Sequence, residues 1–145
     1  MSSDLGGRIA AFSTHMTGEM FAALRGSTIL GRTMRDGAPD GPWFDAGVRR
    51  SGDAGGVAHH AFGVRAEHLA GRLPEDAGPA YLSGILVGHE VRAELGPEPV
   101  HLIGAAGLTG LYARAIELCG GSAVVLDPDA AARGLARIGA TVDWG

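Results

Sequence analysis

The amino-acid sequence predicts an α/β fold built as one domain. The clearest observation is a βαβα pattern in the last third of the chain, where two short apolar runs alternate with two helical stretches. A second observation is the helical spacing of apolar residues over 79–95. A third is size, because 145 residues that are 46% hydrophobic can bury one core but are too few for two sizeable domains.

The first elements expected are a short strand over 8–13 and a helix directly after it. Apolar residues at helical spacing indicate the helix, and Thr17 stands where a side-chain cap is expected. Glu19 falls in the first turn, where the helix dipole favours a carboxylate. Loops are predicted over 35–42 and 51–56, with helical pieces between and after them.

The helix predicted over 79–95 has an apolar face and carries Glu90 and Glu94 on the face expected to meet water. Gly84 and Gly88 share one face of it. A glycine inside a helix costs about 1 kcal/mol relative to alanine. The two glycines therefore indicate close packing or close approach of a ligand.

The end of the chain predicts strands over 100–103 and 123–126, joined by a helix with an apolar stripe from Leu108 to Cys119. Two glycines at 120–121 end that helix, and Asp127-Pro128 begins a last one over 129–138. Two strands joined by a helical crossover are expected to be parallel.

Composition excludes several classes of partner. The net charge is −4 and the chain contains no lysine, so it lacks the basic surface that nucleic acids require. No apolar run approaches the roughly 20 residues that span a bilayer. A single cysteine, Cys119, cannot form an internal disulfide, and the first twenty residues lack an apolar signal core. The sequence therefore predicts a cytoplasmic protein that binds neither nucleic acid nor membrane.

Three places along the chain are candidates for ligand contact. The turn before the helix at 106 offers small residues and backbone N–H groups at a helix N-terminus, which suits an approaching nucleotide or, equally, a tight turn. The start of the first helix can face a phosphate or a substrate hydroxyl, or its residues can serve only as a helix cap. Ser83 and Gly84 can line a cleft opposite that helix start, or they can serve only in packing between helices. The candidate residues are Gly104, Ala105, Ala106, Leu108 and Thr109 in the turn, Thr17, Gly18 and Glu19 at the first helix, and Ser83 and Gly84.

Two other patterns lead to different predictions. Adjacent His59 and His60 do not share a helix face, and no cysteine or carboxylate at ligand spacing completes a set, so we expect no metal site there. The spacing of Gly104, Gly107 and Gly110 after a strand, with Asp127 further on, also fits a dinucleotide fingerprint and leaves an NAD-binding module as an alternative. Only 35 residues follow Gly110, which is too few for the several βαβ units of such a domain.

Several longer segments carry a family resemblance. They are Met16-Thr17-Gly18-Glu19, Ser27-Thr28-Ile29-Leu30-Gly31, the stretch from Phe44 to Arg50, the stretch from His59 to Arg65, and the stretch from Tyr81 to Glu90. Together they resemble the 2-dehydro-3-deoxygalactonokinases, sugar-acid kinases of the actin-like, two-lobed ATPase fold. The resemblance runs from about residue 7 to residue 138 and covers only the second half of the family's protein.

The resemblance implies a ribonuclease-H-like lobe that lacks its first strands, with residues 1–145 forming one C-terminal kinase lobe and the N-terminal lobe lying upstream. It implies transfer of the γ-phosphoryl of ATP, with Mg²⁺, to a hydroxyl of 2-dehydro-3-deoxygalactonate. The turn at 104–109 would border the adenosine, Thr17 and Glu19 would face the cleft, and no position matches a catalytic base.

The sequence also departs from the family pattern, because no stretch matches the second phosphate loop of these kinases. We therefore expect the chain to be inactive alone and to associate with itself or with the missing lobe. A degenerate kinase lobe that works as a nucleotide-sensing or interaction module is the other alternative.

Overall fold

The structure, a computed structural model, describes residues 11–142. Helices and strands alternate in the last third of this range, as predicted. The helices are α1 (Thr17–Ser27), α2 (Pro42–Arg50), α3 (Gly56–Leu69), α4 (Gly78–Glu94), α5 (Ala106–Leu118) and α6 (Ala130–Gly139); a 3₁₀ helix spans Ile29–Thr33, and the strands are β1 (Val100–Leu102) and β2 (Ala123–Val125).

Helix α4 is the central element of the fold. It contacts α1, α2, α3 and α5, and residues on nearly every side of it are buried. The helix predicted over 79–95 is therefore confirmed, but its amphipathic character is only partly right. Glu94 is exposed as expected, whereas Glu90 is half-buried and hydrogen-bonded. Glu90 lies inside because α1 and α5 close over that face of α4.

The predicted packing role of the α4 glycines is confirmed on the side that faces α2. A Cβ atom at Gly84 would lie 2.1 Å from the carbonyl oxygen of Phe44, and one at Gly88 would lie 2.4 Å from Ser51 Oγ. Gly47 on α2 faces back in the same way, since its Cβ would lie 2.2 Å from the carbonyl oxygen of Tyr81. Backbone therefore meets backbone along this helix pair, which no larger residue would permit.

Two hydrophobic clusters form on the two sides of α4. The first lies toward α1, the 3₁₀ helix and α3, and includes Leu30, Ala61, Val64, Leu73, Ala77, Leu82, Ile85 and Leu86. The second lies toward α2, α5 and the sheet, and includes Phe44, Val48, Ala80, Val87, Val91, Ala115 and Ile116. One helix thus joins the two halves of the core.

The predicted βαβα unit is confirmed. Strands β1 and β2 pair in parallel, with Val100 opposite Ala123 and Leu102 opposite Val125. Each strand has three residues, one fewer than the sequence indicated. Gly120, with φ of +87°, ends α5 in the left-handed conformation that favours glycine.

The start of the described range differs from expectation. Of the strand predicted over 8–13, residues 8–10 lie outside the described range, and residues 11–13 are not in a strand. Helix α1 begins at Thr17, with Met16 in the cap position and no side-chain cap. The predicted cap is wrong because the Thr17 hydroxyl bonds to Glu90 instead. Glu19 does lie in the first turn, as predicted.

The last helix begins slightly later than predicted, at Ala130. Asp127 still organises its start, because its Oδ1 accepts a hydrogen bond of 2.9 Å from the Asp129 N–H and its Oδ2 lies 2.9 Å from Arg133 Nη1. Among the described helices, none is long and apolar enough to cross a membrane.

Candidate functional site

A cleft of about 330 Å³ opens between α1, α4, α5 and the loop that follows the 3₁₀ helix. It brings together parts of the chain that are far apart in sequence. Its walls are Thr17, Gly18, Phe21, Arg25, Asp36, Gly37, Pro39, Pro79, Ser83, Leu86, Val87, Leu108, Leu111 and Tyr112. Most of this surface is apolar, and the polar groups are few and convergent, which is the usual character of a small-molecule site.

Four predicted site residues lie together in this cleft. Thr17 and Gly18 come from the start of α1, Ser83 from α4 and Leu108 from the start of α5. The other two residues predicted near them lie elsewhere. Gly84 faces α2, for the packing reason given above, and Glu19 is exposed and does not line the cleft.

Three oxygen atoms meet at one end of the cleft. The Thr17 hydroxyl donates a hydrogen bond of 2.5 Å to Glu90 Oε2, and the Tyr112 hydroxyl donates one of 2.6 Å to the same oxygen. Burial and the hydrogen bond to Glu90 raise the pKa of Tyr112 well above its ordinary value. The phenol therefore keeps its proton throughout the neutral range, and Glu90 ties α1, α4 and α5 together.

The charged groups of the cleft neutralise each other. Arg25 Nη2 donates a hydrogen bond to Asp36 Oδ1 across the mouth. Ser83 is half-buried in the wall, and its hydroxyl makes no hydrogen bond with another described residue. The cleft thus offers one uncommitted hydroxyl, two hydroxyls bonded to Glu90, and no unpaired charge among its described lining residues.

The predicted turn before α5 borders a second, larger hollow of about 550 Å³. This hollow is lined by Pro39, Asp40, Gly41, Phe44, Asp45, Ala106, Gly107, Gly110, Leu111 and Arg114. The first N–H groups of a helix have no intrahelical partner, and no described side chain caps those of α5. A Cβ atom at Gly107 or Gly110 would meet nothing within 4 Å. Backbone donors and open space therefore lie side by side.

The remaining predicted turn residues support its shape. The buried Thr109 hydroxyl lies 3.2 Å from the carbonyl oxygens of Ala105 and Ala106, to which it donates, so it holds the turn closed. Gly104 is half-buried, and a Cβ there would lie 3.5 Å from Thr109 Cγ2, an ordinary contact. Of the five predicted turn residues, Ala106 lines the larger hollow and Leu108 lines the smaller cleft.

An ion pair crosses the larger hollow. Arg114 Nε and Nη2 lie 3.0 and 2.6 Å from Asp45 Oδ1 and Oδ2. The Arg114 hydrogen bonds hold the pKa of the Asp45 carboxyl below its ordinary value. Sequence reasoning missed both partners, because neither α2 nor α5 alone indicates which polar residues face each other.

A pair of histidines, one buried and one half-buried, was also missed. His60 on α3 is fully buried, and its Nδ1 lies 2.9 Å from His89 Nε2 on α4, while its Nε2 lies 3.2 Å from the carbonyl oxygen of Ala54. His59 is exposed and contacts Arg50. Within residues 11–142, no group of three or more His, Cys, Asp or Glu side chains is arranged to hold a metal ion.

The α/β chain has a small parallel sheet and a largely apolar cleft where three helices converge. A model of one family, described as 2-keto-3-deoxy-galactonokinase, matches residues 5–138. The chain belongs to this family, which confirms the resemblance found in the sequence.

Two individual relatives carry the name of the same kinase. The 2-dehydro-3-deoxygalactonokinase of Escherichia coli (strain K12) is 30% identical over 118 residues, which cover 78% of this chain and 40% of the relative. A protein of Rhizobium meliloti (strain 1021) named "Probable 2-dehydro-3-deoxygalactonokinase DgoK1" is 33% identical over 146 aligned positions, which cover 94% of this chain and 47% of the relative.

A solved structure is similar as well. It is a crystal structure of a candidate 2-dehydro-3-deoxygalactonokinase from Sinorhizobium meliloti, with a TM-score of 0.79 and 32% identity over 92% of this chain and 47% of that one. The chain thus spans less than half the length of the curated relatives it matches.

Proposed function

We propose that this chain is the nucleotide-side lobe of a sugar-acid kinase that transfers the γ-phosphoryl group of ATP to a hydroxyl of 2-dehydro-3-deoxygalactonate. In this proposal residues 1–145 form one C-terminal lobe of ribonuclease-H-like architecture within the actin-like ATPase fold, and the protein works in the cytoplasm. Family membership supports the reaction class, and the relatives named as kinases of this sugar acid support the substrate.

The observation that carries the proposal is the convergence of the predicted residues around the start of α5. Of the predicted residues, Thr17, Gly18, Ser83 and Leu108 line one cleft and Ala106 lines the adjoining hollow, together with its neighbour Gly107. Pro39 and Leu111 line both cavities, and in this proposal a single extended ligand such as ATP lies across them. The open glycines permit close approach, and the free N–H groups at the helix start favour a negatively charged group.

In phosphoryl transfer the protein mainly positions the reactants and stabilises spread negative charge. The described residues fit the first of these tasks on the nucleotide side, through the turn at 104–109 and the apolar walls of the cleft. They do not form a carboxylate set for Mg²⁺, so we derive no step of the reaction through the metal. No described residue is assigned as the catalytic base.

The test is calorimetric titration of the purified 145-residue chain with Mg-ATP. Gly107 lines the hollow, and a Cβ atom there would meet no protein atom within 4 Å, so Gly107→Leu should preserve folding and weaken ATP binding about tenfold, which is about 1.4 kcal/mol. Gly63→Leu on α3, whose Cβ also meets nothing within 4 Å, is the matched control and should bind like the parent chain.

Other ligands separate the alternatives. Heat with NAD but not with ATP would support the dinucleotide-binding module. If circular dichroism shows that the chain is folded and neither ligand gives binding heat, nucleotide binding by this lobe alone is refuted and an interaction module is favoured. Equal ATP affinities of the Gly107→Leu variant and the parent would remove the start of α5 from the site.

A further inference from the structure

The hydrogen-bond polarity of the smaller cleft identifies the kind of ligand group that it accepts. Thr17 and Tyr112 each have one hydroxyl proton, and each donates that proton to Glu90 Oε2. A hydroxyl that has donated its only proton can still accept through its oxygen lone pairs. Toward the cleft, Thr17 and Tyr112 therefore present acceptors only.

We infer that the end of the cleft formed by Thr17 and Tyr112 binds a neutral, hydroxyl-bearing part of the ligand through a hydroxyl that donates to these two oxygens. This inference rests on the proposed function and revises one expectation about it. Thr17 was predicted to face a phosphate or a substrate hydroxyl, and the structure favours the hydroxyl.

Charge supports the same assignment. Glu90 lies directly behind the two hydroxyls, so a phosphate or carboxylate placed there would meet a negative group without gaining a donor. Arg25, which lines the cleft, is already paired with Asp36. An anion in this cleft would find no unpaired cation among the described lining residues, whereas a hydroxyl would find two acceptors.

The rest of the cleft fits a sugar or nucleoside. Ser83 offers a hydroxyl that can both donate and accept, which suits a second hydroxyl of the ligand. Phe21, Leu108 and Leu111 provide apolar walls for the carbon skeleton or a base. The chemistry is shared by two sources, the ribose of ATP and the hydroxyl chain of the sugar acid, and the experiment below distinguishes them.

The experiment measures binding to the 145-residue chain and to its Thr17→Val variant. The ligands are Mg-ATP, its 2′-deoxy and 3′-deoxy analogues, 2-dehydro-3-deoxygalactonate and inorganic triphosphate. Thr17→Val should weaken the binding of the ligand that carries the recognised hydroxyl about tenfold, which is the effect of losing one hydrogen bond. Thr17→Ser should restore that binding. Tyr112→Phe should act in the same direction, because it removes the second acceptor.

The pattern across ligands identifies the source. If the ribose is bound, one deoxy analogue should bind parent and variant equally, whereas ATP should distinguish them. If the sugar acid is bound, only its affinity should fall. The affinity for inorganic triphosphate should be the same in the parent and in Thr17→Val. Glu90→Gln removes the negative charge behind the two hydroxyls, so it should not weaken triphosphate binding.

Any of three results would overturn the inference. In the first, Thr17→Val weakens the binding of inorganic triphosphate. In the second, it weakens the binding of ATP and of both deoxy analogues equally and leaves that of the sugar acid unchanged, and in the third the binding of no ligand depends on a hydroxyl. The parent chain could bind ATP, lose that binding in the Gly107→Leu variant, and show no dependence on any ligand hydroxyl. That result would contradict this inference alone and leave the proposed function standing. A folded parent that does not bind ATP contradicts the proposed function itself.

Discussion

Asp45 on α2 and Arg114 on α5 form a two-bond ion pair that joins the helix packed against the α4 glycines to the helix of the βαβα unit. The side chain of Asp45 is only 15% exposed, whereas that of Arg114 is 48% exposed. The carboxylate is therefore the more sheltered partner. It also lines the larger hollow, so the pair fixes the distance between two of its walls.

The Asp45→Asn variant should be less stable than the parent, because it removes the charge from the pair while keeping the shape. The pKa of Asp45 is lowered in the folded state, so its contribution is present above the ordinary aspartate range and is lost as the pH falls through the folded value. We expect a melting temperature about 3 °C lower at pH 7, and a smaller difference near pH 3. A difference that grows on acidification would contradict this account.

The Gly84→Ala variant should be strongly destabilised. Its Cβ would lie 2.1 Å from the carbonyl oxygen of Phe44, and a backbone atom cannot move aside without separating α2 from α4. Overpacking of this kind costs about 1–3 kcal/mol. Urea denaturation monitored by circular dichroism measures the loss.

Gly63→Ala is the matched control for that substitution. It lies inside α3, and its Cβ would meet nothing within 4 Å. Because alanine is the better helix former, this variant should be up to about 1 kcal/mol more stable than the parent. Equal losses in the two variants would mean that close helix packing at Gly84 is not the cause.

The parts of the fold that the sequence predicted correctly are those with a local signal. Apolar spacing predicted α4 and α5, strand-forming runs predicted β1 and β2, and Gly120 marked the end of α5. The α4 glycines were also informative, since glycines inside a helix indicated close packing or close approach of a ligand, and the structure shows close packing against α2.

The candidate site was predicted in pieces, and its connections were not. Thr17 and Glu90 are 73 residues apart, and their hydrogen bond depends on α1 packing against α4. From local pattern alone, Glu90 was therefore predicted to face water and Thr17 to cap α1, because these are the usual roles of such residues at such positions. The histidine pair was missed for the same reason, because His60 and His89 lie on different helices.

Acidification should destabilise the chain through the His60–His89 pair. Burial, followed by the charges of His60 and Arg92, lowers the pKa of His89 in the folded state. The unfolded chain then binds the proton more readily, so stability is full above the ordinary histidine pKa of about 6.5 and decreases as the pH falls below it. The free energy of unfolding, measured in urea between about pH 8 and pH 5, should therefore fall.

His89→Gln separates this effect from general acid sensitivity. It should flatten the pH dependence over that range, whereas His101→Gln, at an exposed position on β1, should leave it unchanged. Proton NMR of the His89 ring gives an independent readout, since its titration should occur below the ordinary histidine range. A parent and a His89→Gln variant with parallel pH profiles would exclude the pair as the cause.

The 145-residue chain alone should not transfer phosphoryl groups from ATP to 2-dehydro-3-deoxygalactonate. Transfer requires a metal to neutralise phosphate charge and a group that orients the attacking hydroxyl. Residues 11–142 contain no cluster suited to holding a metal, and the sequence has neither a lysine nor a stretch resembling the second phosphate loop of these kinases.

Coupled measurement of ADP release checks this prediction, with the Escherichia coli relative as positive control. We expect no ADP above background from the chain, even at concentrations where calorimetry shows that it binds ATP. Release that requires the sugar acid, scales with the concentration of the chain and disappears in the Gly107→Leu variant would contradict the prediction. In that case the arginines would be the cationic side chains available to stabilise the phosphate charge, because they are the only side chains of this sequence that stay cationic at neutral pH.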